Sequence, residues 1–308
     1  MGRYVARRLL QLIPVLLGTT FLIYALVWAL PTDPFAGRCG VRPCTDSYIA
    51  AKTAEFNLDD PLVVQYVKWL GNVLSGDLGS TIAGQEVAEL VARAFPITVK
   101  LALVAIAFEI VIGIGAGVLS ALRRNGFADN LVLVTTLVII SIPVFVLGRV
   151  AQYFFGVKLG WFPISVSAGA PWGDLILPGL VLAALSLAYV ARLMRAELVE
   201  TLRADYVRTA VAKGLPRRVV VSRHAVRNSL IPVVTFIGAD FGVLLGGAIV
   251  TEGIFNIQGV GGLTYRAIQN QEGALVVTIV TLLVLVFLLV NLLVDLLYAR
   301  LDPRIRYE

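Results

Sequence analysis

Apolar residues in this chain do not alternate with polar ones; they run on without a break for about the width of a bilayer. Six such runs stand out: 9–30, 97–122, 131–155, 176–194, 231–251 and 275–297. Roughly 20 apolar residues in a helix cross the hydrocarbon layer. Backbone polar groups cannot go unpaired there, so each run is expected to be helical. Arg149 and Gln152 interrupt the third run towards its far end. The predicted class is an all-α integral membrane protein with six spans. An N-terminal span covers 1–30, an extracytoplasmic helical segment 31–95, a five-helix core 96–299, and a short tail 300–308.

Between the first two spans the periodicity changes. Asp59-Asp60-Pro61 reads as a helix start, and Leu62, Val63, Tyr66, Val67, Leu70, Val73 and Leu74 recur at helical spacing. Ser75 to Ser80 breaks that pattern. A second short helix is expected from Glu86 to Phe95, ending ahead of Pro96 and the second span. Trp161 and Trp172 fall in a later connection, where amphipathic aromatics favour the membrane interface.

Charge orients the spans. Hydrophobic residues make up 58% and charged residues 15% of the 308, and mean hydropathy is +0.86. With both termini inside, the inner segments carry Arg3, Arg7 and Arg8, Arg123 and Arg124, nine Lys and Arg from Arg192 to Arg227, and Arg300, Arg304 and Arg306. That is 17 of the 26 basic residues. The outer segment 31–95 carries five bases against eight acids. The net +6 is therefore a topology signal, spread over every inner loop rather than gathered into a nucleic-acid patch. The first apolar run is too long for a cleaved leader, and no small-x-small site follows it. The expected location is a membrane crossed several times, with both termini cytoplasmic.

Ionisable groups inside spans are costly and face a bundle interior or a wet path. Glu109, Arg149 and Asp240 are such groups. Path-lining and structural pairing between helices are both open for them. Gly238, Gly242 and Gly246 repeat every four residues, which leaves one helix face nearly bare. Close helix packing and a smooth wall beside a path are the two readings. Glu252, just beyond that span, joins Glu109, Arg149, Asp240, Gly242 and Gly246 as a candidate path residue. Cys39 and Cys44 lie on the outer, oxidising side, where a disulfide between them is expected. Two thiols fall short of the four ligands of a structural zinc site. No Gly-x4-Gly-Lys-Ser/Thr phosphate loop and no His-Glu-x-x-His motif occur, so neither nucleotide hydrolysis nor zinc catalysis is expected of this chain. No catalytic residue and no cofactor is assigned to it.

The most basic stretch is DYVRTAVAKGLPRRVVVSRHAVRNSLIP, Asp205 to Pro232, bracketed by two apolar spans. Asp205 is placed as the N-cap of a short helix, Gly214 as its left-handed terminator and Pro216 in the first turn of the next helix. A helix of about nine residues is marginal alone and must dock on something. Its face is Val207, Ala210, Val211 and Leu215. A solvated connector, an anionic lipid surface and a protein partner are the three readings. The lipid reading calls for Trp, Phe or Leu on that face, which is mostly Ala and Val.

Asp205-Tyr206-Val207-x-Thr209-Ala210-x-Ala212-Lys213-Gly214-Leu215, with His224-x-x-Arg227-Asn228 and Pro232, resembles the coupling loop of ABC-importer permeases of the dipeptide, oligopeptide and nickel branch. Leu245 to Glu252 and the closing Asp302-Pro303-Arg304 are similar to the same family. Arg208-Thr209-Ala210 stands where importers at large show Glu-Ala-Ala. Ile257 and Gln258 stand where Trp and Pro are usual, and Thr32 replaces a glycine. The resemblance implies a type I importer permease fold with a coupling loop over 203–230. It implies coupling roles for Asp205, Tyr206, Arg208, Thr209, Ala210, Lys213, Gly214, Leu215, Arg218, His224, Asn228 and Pro232, with Thr209, Ala210 and Leu215 on the contact face. It also implies a second homologous permease, two ATPase subunits carrying ATP and Mg, and an outer peptide-binding protein. Import of nickel or another small solute is the alternative within the family. An intramembrane protease using Glu109, Asp240 or Asp295 is the alternative outside it, although no paired acid motif is visible in the sequence.

Overall fold

The computed structural model describes residues 2–29, 44–81 and 84–301. Its regular elements are helices, taken here in chain order: α1 Gly2–Trp28, α2 Asp46–Phe56, α3 Leu62–Leu74, α4 Val87–Leu122, α5 Phe127–Ser141, α6 Val144–Lys158, α7 Ile176–Thr201, α8 Asp205–Ala212, α9 over 217–254, α10 Val260–Gln269 and α11 Gly273–Leu301. Five are long and apolar enough to cross a membrane, and six if the bent pair α5–α6 counts as one span.

Three span boundaries differ from expectation, each for a local reason. The expected short helix at 86–95 and the second span are one helix, α4, 36 residues long, with Pro96 inside it. Proline costs a helix one hydrogen bond, but it does not have to end a helix whose neighbours hold it. The third span is not a single rod. It breaks at Ile142-Pro143 and turns by 108°. Ile142, the residue before proline, is extended, with φ −99° and ψ 125°, as the clash with the proline ring requires. The fifth span starts earlier than expected, because the helix after Pro216 continues into it without interruption as α9. The hydrogen bonding widens to π-helix, without breaking the rod, in α4 at Glu109–Gly113, at the end of α6 at Gln152–Lys158 and in α9 at Val220–Val226.

The chain forms two compact units. In the first, 1–95 with 263–286, α3 lies along α1. Tyr24, Tyr66 and Val277 form its buried centre, with Trp28, Trp69 and Leu70 packed around them. The Thr20 and Tyr66 hydroxyls hydrogen-bond at 2.8 Å. Amphipathic aromatics of this kind bury their rings and still find polar partners.

The second unit, 96–262 with 287–306, is built around α7. Leu177, Val181, Ala183, Ala188, Val190, Ala191, Met194 and Leu198 form a broad buried face, while Leu185 and Tyr189 on the opposite face stay exposed. An apolar face wider than a single stripe packs against more than one neighbour. Its neighbours come close because glycines face it. A Cβ on Gly113 would sit 2.8 Å from Val190 Cγ1, and one on Gly117 2.6 Å from the Ala191 carbonyl oxygen. Gly179 of α7 returns the contact against Val104 of α4. The glycine row of α9 divides. Gly238 meets Val294 and Gly242 meets Phe287 of α11, at 3.3 and 3.1 Å from an added Cβ, whereas Gly246 meets nothing within 4 Å.

These contacts separate two substitutions of the same type. Gly117→Val overpacks the α4–α7 seam and is expected to cost about 1–3 kcal/mol. Gly246→Ala enters open space and is expected to leave stability unchanged. Thermal midpoints of the two purified variants in detergent check this.

Candidate functional site

The basic stretch is an elbow. α8 begins after Ala204, which takes the extended N-cap conformation at φ −66° and ψ 146°. Asp205 is therefore the first helical residue and not the cap. Its charge still favours the positive helix start. The Asp205–Arg208 pair, 3.6 Å apart with 97% and 76% of the two side chains exposed, adds little in water. At the other end the Leu215 amide donates to the Ala210 carbonyl at 3.3 Å and the Gly214 amide to Val211 at 2.9 Å. This crossed pair is a Schellman closure, and it requires the residue between to be left-handed. Gly214 takes φ +76°. Pro216 follows in extended conformation as the N-cap of α9, one position earlier than expected.

The packing of the elbow redistributes its predicted contact face. Val207 and Ala210 are buried with Val220 of α9. They hold the hairpin closed, so Ala210 is not available to a partner. Tyr206, Val211 and Leu215 remain 46%, 60% and 39% exposed, alongside exposed Thr209, Lys213 and Arg218. Thr209 Oγ1 donates to the Asp205 carbonyl at 2.9 Å, and the Arg218 carbonyl accepts from Ser222. Asn228 Nδ2 donates to the His224 carbonyl at 2.9 Å, which ties both into the first turns of α9. Pro232 is half-buried within that helix.

A second anchor was not anticipated. Asp129 at the start of α5 accepts from Arg195 of α7 through both oxygens, at 2.6 and 2.8 Å. The Asn125 amide donates to it at 2.8 Å, and the Ser120 hydroxyl donates to its other oxygen. Only 1% of the Asp129 side chain is exposed. Bidentate guanidinium–carboxylate pairs are directional as well as strong. The clamp fixes the turn 123–126 to α7 some ten residues before the elbow. Arg195 lies 66 residues from Asp129 in the chain, a separation no local pattern bridges.

The six candidate path residues do not form one wall. Glu109 is fully buried on the π turn of α4, and the group facing it is a second acid, Asp240 of α9, 9% exposed. The paired acids that the sequence did not reveal are thus present. No Glu109–Arg149 ion pair forms. Arg149 is exposed on α6 and donates to Gln152 at 3.0 Å. Gly242 is covered by Phe287, and Gly246 is open. Glu252 is fully buried and organises the segment that follows it. Thr98 donates to Glu252 at 2.7 Å, the Gly262 amide donates to it at 2.7 Å, and the Val260 amide donates to Thr98 Oγ1 at 2.8 Å. A Cβ on Gly259 would collide with both the Glu252 carboxyl and Thr98. Glu252 is a structural pin here and not a path surface. The Cys39–Cys44 pairing turns on Cys39, which lies outside the described residues.

The family described as binding-protein-dependent transport system inner membrane component matches residues 113–307. Its N-terminal membrane component matches residues 1–102. The chain belongs to this family of transport permeases. The permease is 40% identical over 309 residues to a glutathione transport system permease of Pectobacterium atrosepticum, with both chains fully covered. It is 36% identical over 314 residues to a probable peptide ABC transporter permease of Sinorhizobium fredii, again over the full length of both. A dipeptide transport system permease of Alkalihalophilus pseudofirmus is 35% identical over 331 residues, with 99% of each chain covered. The permease is a multi-pass inner-membrane component, in line with its apolar helices.

Breaking the Asp129–Arg195 clamp should be severe. Asp129→Ala leaves a guanidinium without its carboxylate and is expected to cost about 3 kcal/mol or more. Arg195→Lys keeps the charge but not the bidentate geometry and is expected to show only part of that loss. The yield and thermal midpoint of the two variants check this.

Proposed function

We propose that this permease is one half of the membrane path of an ATP-driven importer of dipeptides or oligopeptides. A second, homologous permease completes the path. Two ATPase subunits bind ATP and Mg, while this chain binds no cofactor. An outer binding protein delivers the peptide. Both termini and the elbow face the cytoplasm, as the distribution of Lys and Arg favours. The peptide substrate rests on the printed names of the relatives, which are peptide, dipeptide and glutathione permeases.

The observation that carries the coupling reading is the elbow's own architecture. Its inner face is filled by Val207, Ala210 and Val220, while Tyr206, Val211 and Leu215 stay exposed outside any span. A short helix with its own hydrophobic seat and a second apolar face turned outwards fits the groove of a protein partner. Movement of that partner pushes α8, and α9 passes the push into the membrane. Arg208, Lys213 and Arg218 supply charge at the rim, where it tunes encounter more than affinity.

Two substitutions test the reading. Gly214→Val forces a β-branched residue to φ +76°, breaks the Schellman closure and is expected to abolish peptide uptake while the chain still inserts. Leu215→Asp leaves the hairpin's interior intact and is expected to release the ATPase subunits on purification. Peptide uptake by vesicles and co-purification of the ATPase read the two results. Normal uptake by Gly214→Val would end the coupling role of the elbow.

A further inference from the structure

Glu109 and Asp240 sit in the seam where α4, α7 and α9 meet. Glu109 has no exposed surface, and among the described residues neither of its carboxyl oxygens has a donor to accept from. Asp240 Oδ2 is also without one. Ser186 of α7 reaches Asp240, and the two acids face each other. The π turn of α4 begins at Glu109. A π turn rotates side chains out of the regular helical register and is frequent where a helix carries a functional group.

The cations of the packed helices are elsewhere. On α7, Arg192 is exposed and Arg195 is held by Asp129. Counted from Ser186, they lie roughly 9 and 13 Å along the axis at about 1.5 Å per residue. On α4, Lys100 is about 13 Å along the axis from Glu109, over the Trp172 ring. On α9, Arg227 is exposed about 20 Å from Asp240. α11 meets Gly238 and Gly242 with Val294 and Phe287. Two facing carboxylates buried away from any cation on these helices cannot both keep their charge in a span.

We propose that Glu109 and Asp240 form a proton-binding site, in which one carboxyl stays protonated at neutral pH and donates its hydrogen bond to the other. The proton comes from water, and the pair then carries one negative charge instead of two. It also joins α4 to α9 by a bond that exists only while the seam is dry. Any rearrangement that wets the seam lets both acids ionise and releases the proton. Low pH therefore favours the closed seam and high pH the wetted one.

The test is infrared difference spectroscopy on the full chain in lipid nanodiscs at pH 7. The carbonyl band of a protonated carboxylic acid is expected in the wild type and absent in Glu109→Gln combined with Asp240→Asn. Glu109→Gln alone is the second variant. Its amide keeps the volume and donates to an ionised Asp240, so the band is expected to vanish there as well, with the thermal midpoint largely retained. Identical spectra at pH 7 for the wild type and a folded variant would overturn the proposal. So would a wild-type band that appears only within the ordinary carboxylate range.

Discussion

Close approach of helix backbones is the constraint on which the second unit depends. Between helices in a bilayer there is no hydrophobic driving force comparable to that in water, because lipid is as apolar as leucine. Association rests on contact, and contact rests on missing side chains. Gly113, Gly117 and Gly179 remove the atoms that would separate α4 from α7. With those gaps closed, α7 buries a broad face and the other helices of the unit pack along it. The Asp129–Arg195 clamp then fixes the register at one end of this packing, and the Thr98–Glu252 pin fixes the end of α9 that runs into the loop before α10. Apolar seams permit sliding; two directional polar ties limit it.

Polar groups in this protein divide by what they are given. Asp129 receives an arginine, a hydroxyl and a backbone amide, and Glu252 receives Thr98 and a backbone amide. Both carboxyls are satisfied and act as fasteners. Glu109 and Asp240 receive mainly each other. Buried polar groups are normally partnered, and those that are not call for a specific account. The shared proton is that account here.

Much of the fold was legible because its signal is long-range apolar continuity, which needs no knowledge of partners. Span positions, the helix at 62–74 and the glycine-terminated elbow all follow from patterns a few residues wide. Pro96 and Pro143 show where such patterns fail. Both are prolines in apolar surroundings, yet α4 runs through one and the chain turns by 108° at the other. Tertiary context decides between those outcomes, and sequence spacing does not contain it. The candidate site divides in the same way. Gly214 was readable because its conformation is set by the turn itself. Ala210 was misassigned because its burial depends on Val220, across the hairpin. Glu109 and Asp240 were each readable as costly, but their pairing across 131 positions was not.

The uninterrupted run of α9 has a mechanical consequence. Its α-helical part, Arg227–Ile254, has 28 residues, about 42 Å at 1.5 Å per residue. A tilt of only about 10° at the near end of such a rod displaces its far end by about 7 Å. The same rod carries Asp240 midway and ends at the Glu252 pin, so a tilt imposed near Arg227 strains the acid seam before it reaches the loop ahead of α10.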